Sequence, residues 1–273
     1  MPTLPPAGDG RLTGTEPHTQ RHMAQSYGAD VERYDRTRPR YPAALVERLI
    51  ATSPGRDVLD VGAGTGIAGL ALQAAGCTVL GVEPDPRMAG FARRKGLEVE
   101  TAMFEDWDPA GRTFDMLIAG TAWHWVDPVA GAAKAARVLR PGGRLALFWN
   151  AFRPAPEVAG AFVAVYARVL PESPIHQRAM AGPESHAVVV ARAADGLERT
   201  GAFGEPEQWH FDWDRRYTRD EWLDQVPTFG GHGRLPPARL EALLTGLGDA
   251  VDALGGAFTM HYTALAVTSV RVS

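Results

Sequence analysis

The sequence predicts an α/β fold, a parallel sheet with helices on both faces. Short apolar runs alternate with helix-period segments through the first half of the 273 residues, and strand–helix–strand repetition builds parallel sheets from βαβ units. A glycine-rich turn, in VLDVGAGTGIAGLAL from Val58 to Leu72, joins the first apolar run to the first of these helices. The composition, 45% apolar and 22% charged, is that of a globular chain with a substantial core.

Taken in order, Pro42 to Ile50 offers a helix ahead of the first strand. Val58–Val61, Thr78–Val82, Leu97–Thr101, Met116–Ala119 and Arg144–Trp149 are expected as strands. Between them, Ile67, Leu70, Ala71 and Ala74 recur at helical spacing, as do Ala132, Ala135, Ala136 and Leu139, and more weakly Met88, Phe91, Ala92 and Lys95. Pro141-Gly142-Gly143 is expected to break the chain before the fifth strand.

After Asn150 the rhythm changes. Val158, Phe162, Val165 and Val169 mark a helix, and residues 186–200 offer another. Glu207–Asp212 is expected as a strand, Thr218–Val226 as a short helix capped by Thr218. Leu240, Leu243, Leu244, Leu247 and Val251 form an amphipathic helix opened by Pro236-Pro237, and Phe258–Val267 is a closing strand. The layout expected is a loose tail over 1–25, a core over 26–150, a helical insertion over 151–204, and completion of the sheet over 205–273.

A formal net charge of −4 leaves no basic footprint for nucleic acid or an anionic membrane. Cys77 is the single cysteine, which excludes an intramolecular disulfide and a cysteine-built zinc site; it is expected as a small buried residue. His176 and His186 have no helical i, i+4 partner, and no metal site is expected. Neither a secretory leader nor a membrane span is visible, so the expected location is cytoplasmic.

The first strand ends in Asp60, and Gly62, Gly64 and Gly66 follow. Missing side chains let a ligand lie against the backbone, and amides at a helix start face what binds there. Glu83 ends the second strand, seventeen positions after Gly66; a carboxylate there can accept from both hydroxyls of a ribose. These features point to a nucleoside-containing cofactor bound where the strand order reverses. A dinucleotide fingerprint would need its third glycine at Ile67, which counts against nicotinamide without excluding it.

The sequence here resembles the class I S-adenosylmethionine-dependent methyltransferases, whose first motif DVGAGTG matches. The likeness continues through GVEPDPRM, FEDW, FDMLIAGTAWHWVDP and RVLRPGGRLALFWN. It covers about residues 26–150 and looks closest to the "type 11" small-molecule branch, some of whose members open with a segment similar to SYGADVERYDRTRPRYP. The resemblance implies a Rossmann-like seven-stranded sheet with its last strand antiparallel, and S-adenosyl-L-methionine as cofactor. It would place Gly62, Ala63, Gly64, Thr65 and Gly66 beside the methionine part of the cofactor and Glu83 on the ribose. Pro84 and Met88 would lie under the adenine, Met103, Phe104 and Glu105 at its edge, and Gly120, Thr121 and Ala122 beside the sulfonium. The segment with Tyr27, Tyr34, Arg38 and Tyr41 would fold over the cofactor as a lid.

Arg38 either pairs with the cofactor carboxylate as a bidentate fork or is a surface arginine. His124 is a candidate general base, since its ordinary pKa suits proton abstraction at neutral pH; the alternative is a structural residue between Trp123 and Trp125. Tyr27, Trp123, His124, Trp222 and Phe229 are candidate acceptor contacts, with His176, His186 and His232 further candidates in the late loops. An N-P-P-Y after the fourth strand is absent, Cys77 is misplaced for cytosine C5 chemistry, and RNA would call for a basic face. A small organic acceptor is expected, methylated on O, N or C, by a monomer or homodimer. The alternatives are a protein that binds S-adenosylmethionine without transferring its methyl and, third, a nicotinamide-dependent oxidoreductase.

Overall fold

A computed structural model describes residues 27–171 and 186–272 together with His18. The expectations for the tail over 1–25 and for His176 lie outside the described residues, apart from His18. Two short helices, α1 (Val31–Thr37) and α2 (Ala43–Thr52), lead into β1 (Asp57–Val61), α3 (Ile67–Ala74), β2 (Thr78–Val82), α4 (Pro86–Arg94) and β3 (Glu98–Glu100). Then follow β4 (Phe114–Gly120), α5 (Pro128–Val138), β5 (Leu139–Pro154), α6 (Pro156–Val169) and α7 (Ala187–Thr200). The last elements are β6 (Glu207–Thr218), α8 (Arg219–Gln225), α9 (Pro237–Ala253) and β7 (Ala257–Val270).

The strands form one seven-stranded sheet in the order β3-β2-β1-β4-β5-β7-β6. β1 is parallel to β2 and β4, and β4 to β5; β7 runs antiparallel to both β5 and β6. The expected Rossmann-like sheet with an antiparallel last strand is therefore present. The order reverses between β1 and β4, and register puts Asp60 opposite Gly81 on one side and Ile118 on the other. Three carboxyl-terminal strand ends thus meet at one edge, where α/β sheets bind ligands.

Alternation along each strand fills two cores. Leu59, Val61, Leu145, Leu147 and Trp149 face one side, packed with α5 and α7 residues such as Ala132, Ala135, Ala193 and Leu197. Val58, Ala146 and Phe148 face the other, with Leu45, Leu49, Leu72 and Ala92. Strands buried on both faces read as continuous apolar runs, which is why β1 and β2 were placed within a residue from sequence. Asp85 and Asp127 cap α4 and α5 with side-chain oxygens, and each helix opens on a proline.

One expectation changes. Pro141-Gly142-Gly143 does not break the chain before the fifth strand but bulges within β5, where pairing jumps from Phe114↔Leu139 to Met116↔Arg144. Gly142 at φ +78° makes the bulge possible. Within the expected insertion over 151–204, the described residues pack in two places. α6 packs on α9 in a third core, around Phe162, Trp222 and Phe258, whereas α7 lies against α5 on the sheet. The long ladder from Arg144↔Val270 to Pro154↔Met260 extends beyond the parallel strands and supplies the floor of that third core. Cys77 is buried, as expected, and unbonded.

Candidate active site

At the switch point the backbone itself is shaped for close approach. Gly62 has φ +68°, and a Cβ there would stand 2.5 Å from the Ala122 Cβ. Gly64 has φ +56° and open space where a Cβ would point. Its N–H donates to Glu83 Oε2 at 2.8 Å, while the Asp85 N–H donates to Glu83 Oε1 at 2.9 Å. Glu83 is only 8% exposed, and burial pushes its carboxyl up to about 7 against the pull of those two amides. Each oxygen keeps lone-pair capacity for a ligand hydroxyl. Asp60, 1% exposed, is likewise pushed up to about 7 by burial, with the Glu83 charge adding to the shift.

Two adjoining cavities open here. The outer one, of ≈ 160 Å³, is lined by Glu83, Pro84 and Met88 on one side and by Met103, Phe104 and Glu105 on another. Gly62, Gly64, Gly120, Thr121 and Ala122 also line it, with Tyr27 and Tyr34. The inner one, of ≈ 100 Å³, is lined by Asp60, Ala63, Thr65, Arg38 and Phe229 among others. Gly62, Gly64, Gly120, Thr121 and Tyr34 border both cavities. Thr121 holds φ +54°, unusual for a β-branched residue, and its Oγ1 lies 2.9 Å from the Tyr41 hydroxyl. Burial raises the Tyr41 pKa, so the phenol stays protonated at this junction.

Arg38 is no surface arginine. Its Nη2 donates to the Thr228 carbonyl, and its guanidinium lies over Tyr27, Tyr34 and Phe229 at 5.7, 4.7 and 5.5 Å. Its Nε is buried without a partner. Asp60 Oδ2, Asn150 Oδ1 and Gln225 Oε1 are also buried and unpartnered, and all four residues line the inner cavity. Unsatisfied polar atoms gathered around one space mark a place for a polar ligand.

Several sequence candidates stand elsewhere. Gly66, at φ +85°, lines neither cavity; it starts α3, where a Cβ would press on Leu70 and Leu97 at 3.2 Å. Trp123 is 2% exposed in the core beneath α5, and Trp222 is wholly buried, stacked on Phe162 at 5.4 Å. Tyr27 stands at the outer cavity, away from the inner one. His124 turns into a separate small cavity with Trp123, Pro128 and Val189. There the Trp149 indole N–H donates to its Nδ1 at 3.3 Å. Burial, with His186 nearby, pushes the His124 pKa down to about 4. The imidazole is a neutral hydrogen-bond acceptor inside the fold, not a base at the junction. His186 abuts α7, and His232 is buried with its Nε2 3.0 Å from the Tyr166 hydroxyl.

Trp125 lines the outer cavity; sequence reasoning missed Asn150, Phe152, Gln225 and Tyr262, which line the inner one. Asn150 follows the strand run LALFW, and a polar residue at a strand's carboxyl end was a usable signal. Gln225 and Tyr262 come from distant elements and carry no local signal. Among the described residues no group of three or more His, Cys, Asp or Glu could hold a metal ion, and no helix is long and apolar enough to cross a membrane.

Residues 58–143 match the family described as a methyltransferase domain. The class I resemblance read from the motifs is thereby borne out, and the domain holds β1 to the start of β5, including the glycine turn and Glu83. An uncharacterized methyltransferase of Mycobacterium tuberculosis is 39% identical over 135 residues, 48% of this chain and 55% of that protein. A demethylmenaquinone methyltransferase of Tropheryma whipplei is 32% identical over 103 residues, covering 36% and 43%. The chain spans about half the length of the curated relatives it matches. Beyond the domain, the fold resembles a proposed type II methyltransferase from Anaeromyxobacter dehalogenans. The TM-score is 0.62 and the identity 26%, over 86% of this chain and 98% of that one. The phosphoethanolamine N-methyltransferase 2 of Haemonchus contortus, solved with S-adenosyl-L-methionine, shares the fold at TM-score 0.51 and 12% identity, over 96% and 61%.

Proposed function

We propose that the chain is an S-adenosylmethionine-dependent methyltransferase acting on a small organic molecule. The observation that carries this is the pair of adjoining cavities with a shared wall at Gly62, Gly64, Gly120 and Thr121. An in-line transfer needs donor and acceptor on opposite sides of one point, held close and shielded from water.

The residues fit the cofactor. The outer cavity offers Glu83 to a ribose and the apolar faces of Pro84, Met88 and Phe104 to an adenine. The inner cavity holds the unpartnered Arg38 Nε for a carboxylate and the unpartnered Asp60 Oδ2 for an ammonium. The bound cofactor supplies an electrophilic methyl on a sulfonium. Arg38 and Asp60 orient its amino-acid end, Tyr34 lies where the cavities meet, and Thr121 with Tyr41 borders the path between them. None of the described residues that border both cavities is a carboxylate or an imidazole, so placement does most of the work.

Calorimetric titration with S-adenosylhomocysteine and, separately, NADH tests the reading. Micromolar binding of the first alone is expected, weakened by about 2 kcal/mol in Glu83→Ala, as for lost charge-assisted bonds. Binding of NADH instead would hand the site to the oxidoreductase alternative.

A further inference from the structure

We infer that the methyl acceptor is an uncharged, planar small molecule carrying two O–H or N–H groups, received by the side-chain oxygens of Asn150 and Gln225 in the inner cavity. This rests on the methyltransferase reading above and narrows its substrate class.

Both oxygens are committed acceptors. Gln225 is 2% exposed, and its Oε1 is buried without a partner. The Tyr217 and Tyr262 hydroxyls, 2.7 Å apart, stand beside its amide, and Oε1 is the atom left over. Asn150 donates through Nδ2 to the Arg40 carbonyl at 3.3 Å, so its Oδ1 is the free end, and that oxygen too is buried and unpartnered. A buried amide oxygen without a donor is costly, and a ligand that brings an O–H or N–H removes the cost. The pair therefore reads hydrogen-bond donors, and an ether or ester oxygen in the same place would leave both unsatisfied.

The remaining walls set body and charge. Phe152 and Phe229 stack at 6.1 Å with 13° between their planes, and Tyr262 tilts against Phe152 at 6.2 Å. Flat apolar walls favour a flat apolar body. Arg38 is the one cation among the lining residues, and the cofactor's carboxylate takes it. An anionic acceptor would lie against two amide oxygens that themselves only accept, and is disfavoured. In the transfer, an oxygen or nitrogen lone pair of the acceptor forms the new bond to the methyl carbon. The carbon–sulfur bond breaks with its electrons going to sulfur, and the acceptor's O–H or N–H proton passes to water.

The test is calorimetry on the full chain saturated with S-adenosylhomocysteine, with catechol, 1,2-dimethoxybenzene and benzoate as matched probes. Catechol is expected to bind at least tenfold more tightly than either of the others. In Gln225→Met and, separately, Asn150→Leu, that preference should fall to threefold or less, while S-adenosylhomocysteine affinity, which reports that the variants are folded, changes less than threefold. Equal binding of dimethoxybenzene or benzoate, or no catechol binding beside bound S-adenosylhomocysteine, overturns the inference. Failure of S-adenosylhomocysteine itself to bind overturns the cofactor reading instead.

Discussion

Asp60 and Glu83 are carboxyls held in a place that disfavours their charge, and both titrate near 7 in the fold against ordinary values near 4. A group with a raised folded-state pKa contributes stability that is complete below its unfolded pKa and is lost as pH climbs through the folded value. The unliganded protein should therefore lose on the order of a few kcal/mol between pH 4 and pH 7.5 from this pair. Asp60→Asn should flatten that part of a plot of Tm against pH; an unchanged slope would mean that Asp60 is ionised throughout. His124 has the opposite sign: depressed to about 4, it costs stability as pH falls from 6.5 toward 4. His124→Ala should lower Tm yet change turnover less than threefold, because the ring faces Trp149 and not the junction. The sequence shows that His124 follows a strand at the active edge, but not which way a ring turns within a three-residue 3-10 turn.

Helix α1 is positioned by its neighbours more than by its own seven residues. Arg33 and Arg36 reach Asp224 on α8 at 3.1 and 2.8 Å, and Lys95 reaches Asp35 at 2.9 Å. Just beyond its end, Arg38 locks under three aromatic rings. Lys at this position keeps the charge but loses the planar stack and the fork. Arg38→Lys should weaken S-adenosylhomocysteine binding by about tenfold, as expected for a loss of about 1.4 kcal/mol, with Tm little changed; an unaltered Kd would remove Arg38 from the cofactor site. At this scale the parallel strands and capped helices were legible, because apolar runs, Asp caps and prolines are local signals. The bulge at Pro141-Gly142-Gly143 was misjudged, since turn chemistry alone does not say whether a ladder resumes on the far side. The extra length of β6 was missed for a related reason: beyond Asp212 it alternates exposed residues such as Arg216 with residues such as Tyr217 that pack on the third core.

Across the molecule, three cores divide the labour. Among the described residues two flank the sheet, and the third, built from α6, α8, α9 and the outer ladder, borders the inner cavity through Phe152, Phe229 and Tyr262. Trp222 is the hub of that third core, packed against Phe162, Tyr217, Phe229 and Phe258. Trp222→Ala should cost about 3–5 kcal/mol, read by chemical denaturation, and should impair acceptor binding more than S-adenosylhomocysteine binding. Equal loss of both would show that the cores do not act separately. The outer cavity was readable because most of its residues fall in consecutive motifs; the inner one draws Asn150, Gln225 and Tyr262 from three elements that meet only in space.

Strand β7 slots between β5 and β6, both made before it, and brings Tyr262 with it. During synthesis the glycine turn, Glu83 and the Gly120–Thr121 wall are all in hand long before β7 leaves the ribosome. The protein is thus expected to acquire its grip on a nucleoside early and its discrimination between acceptors last, so that specificity is the final property to fold.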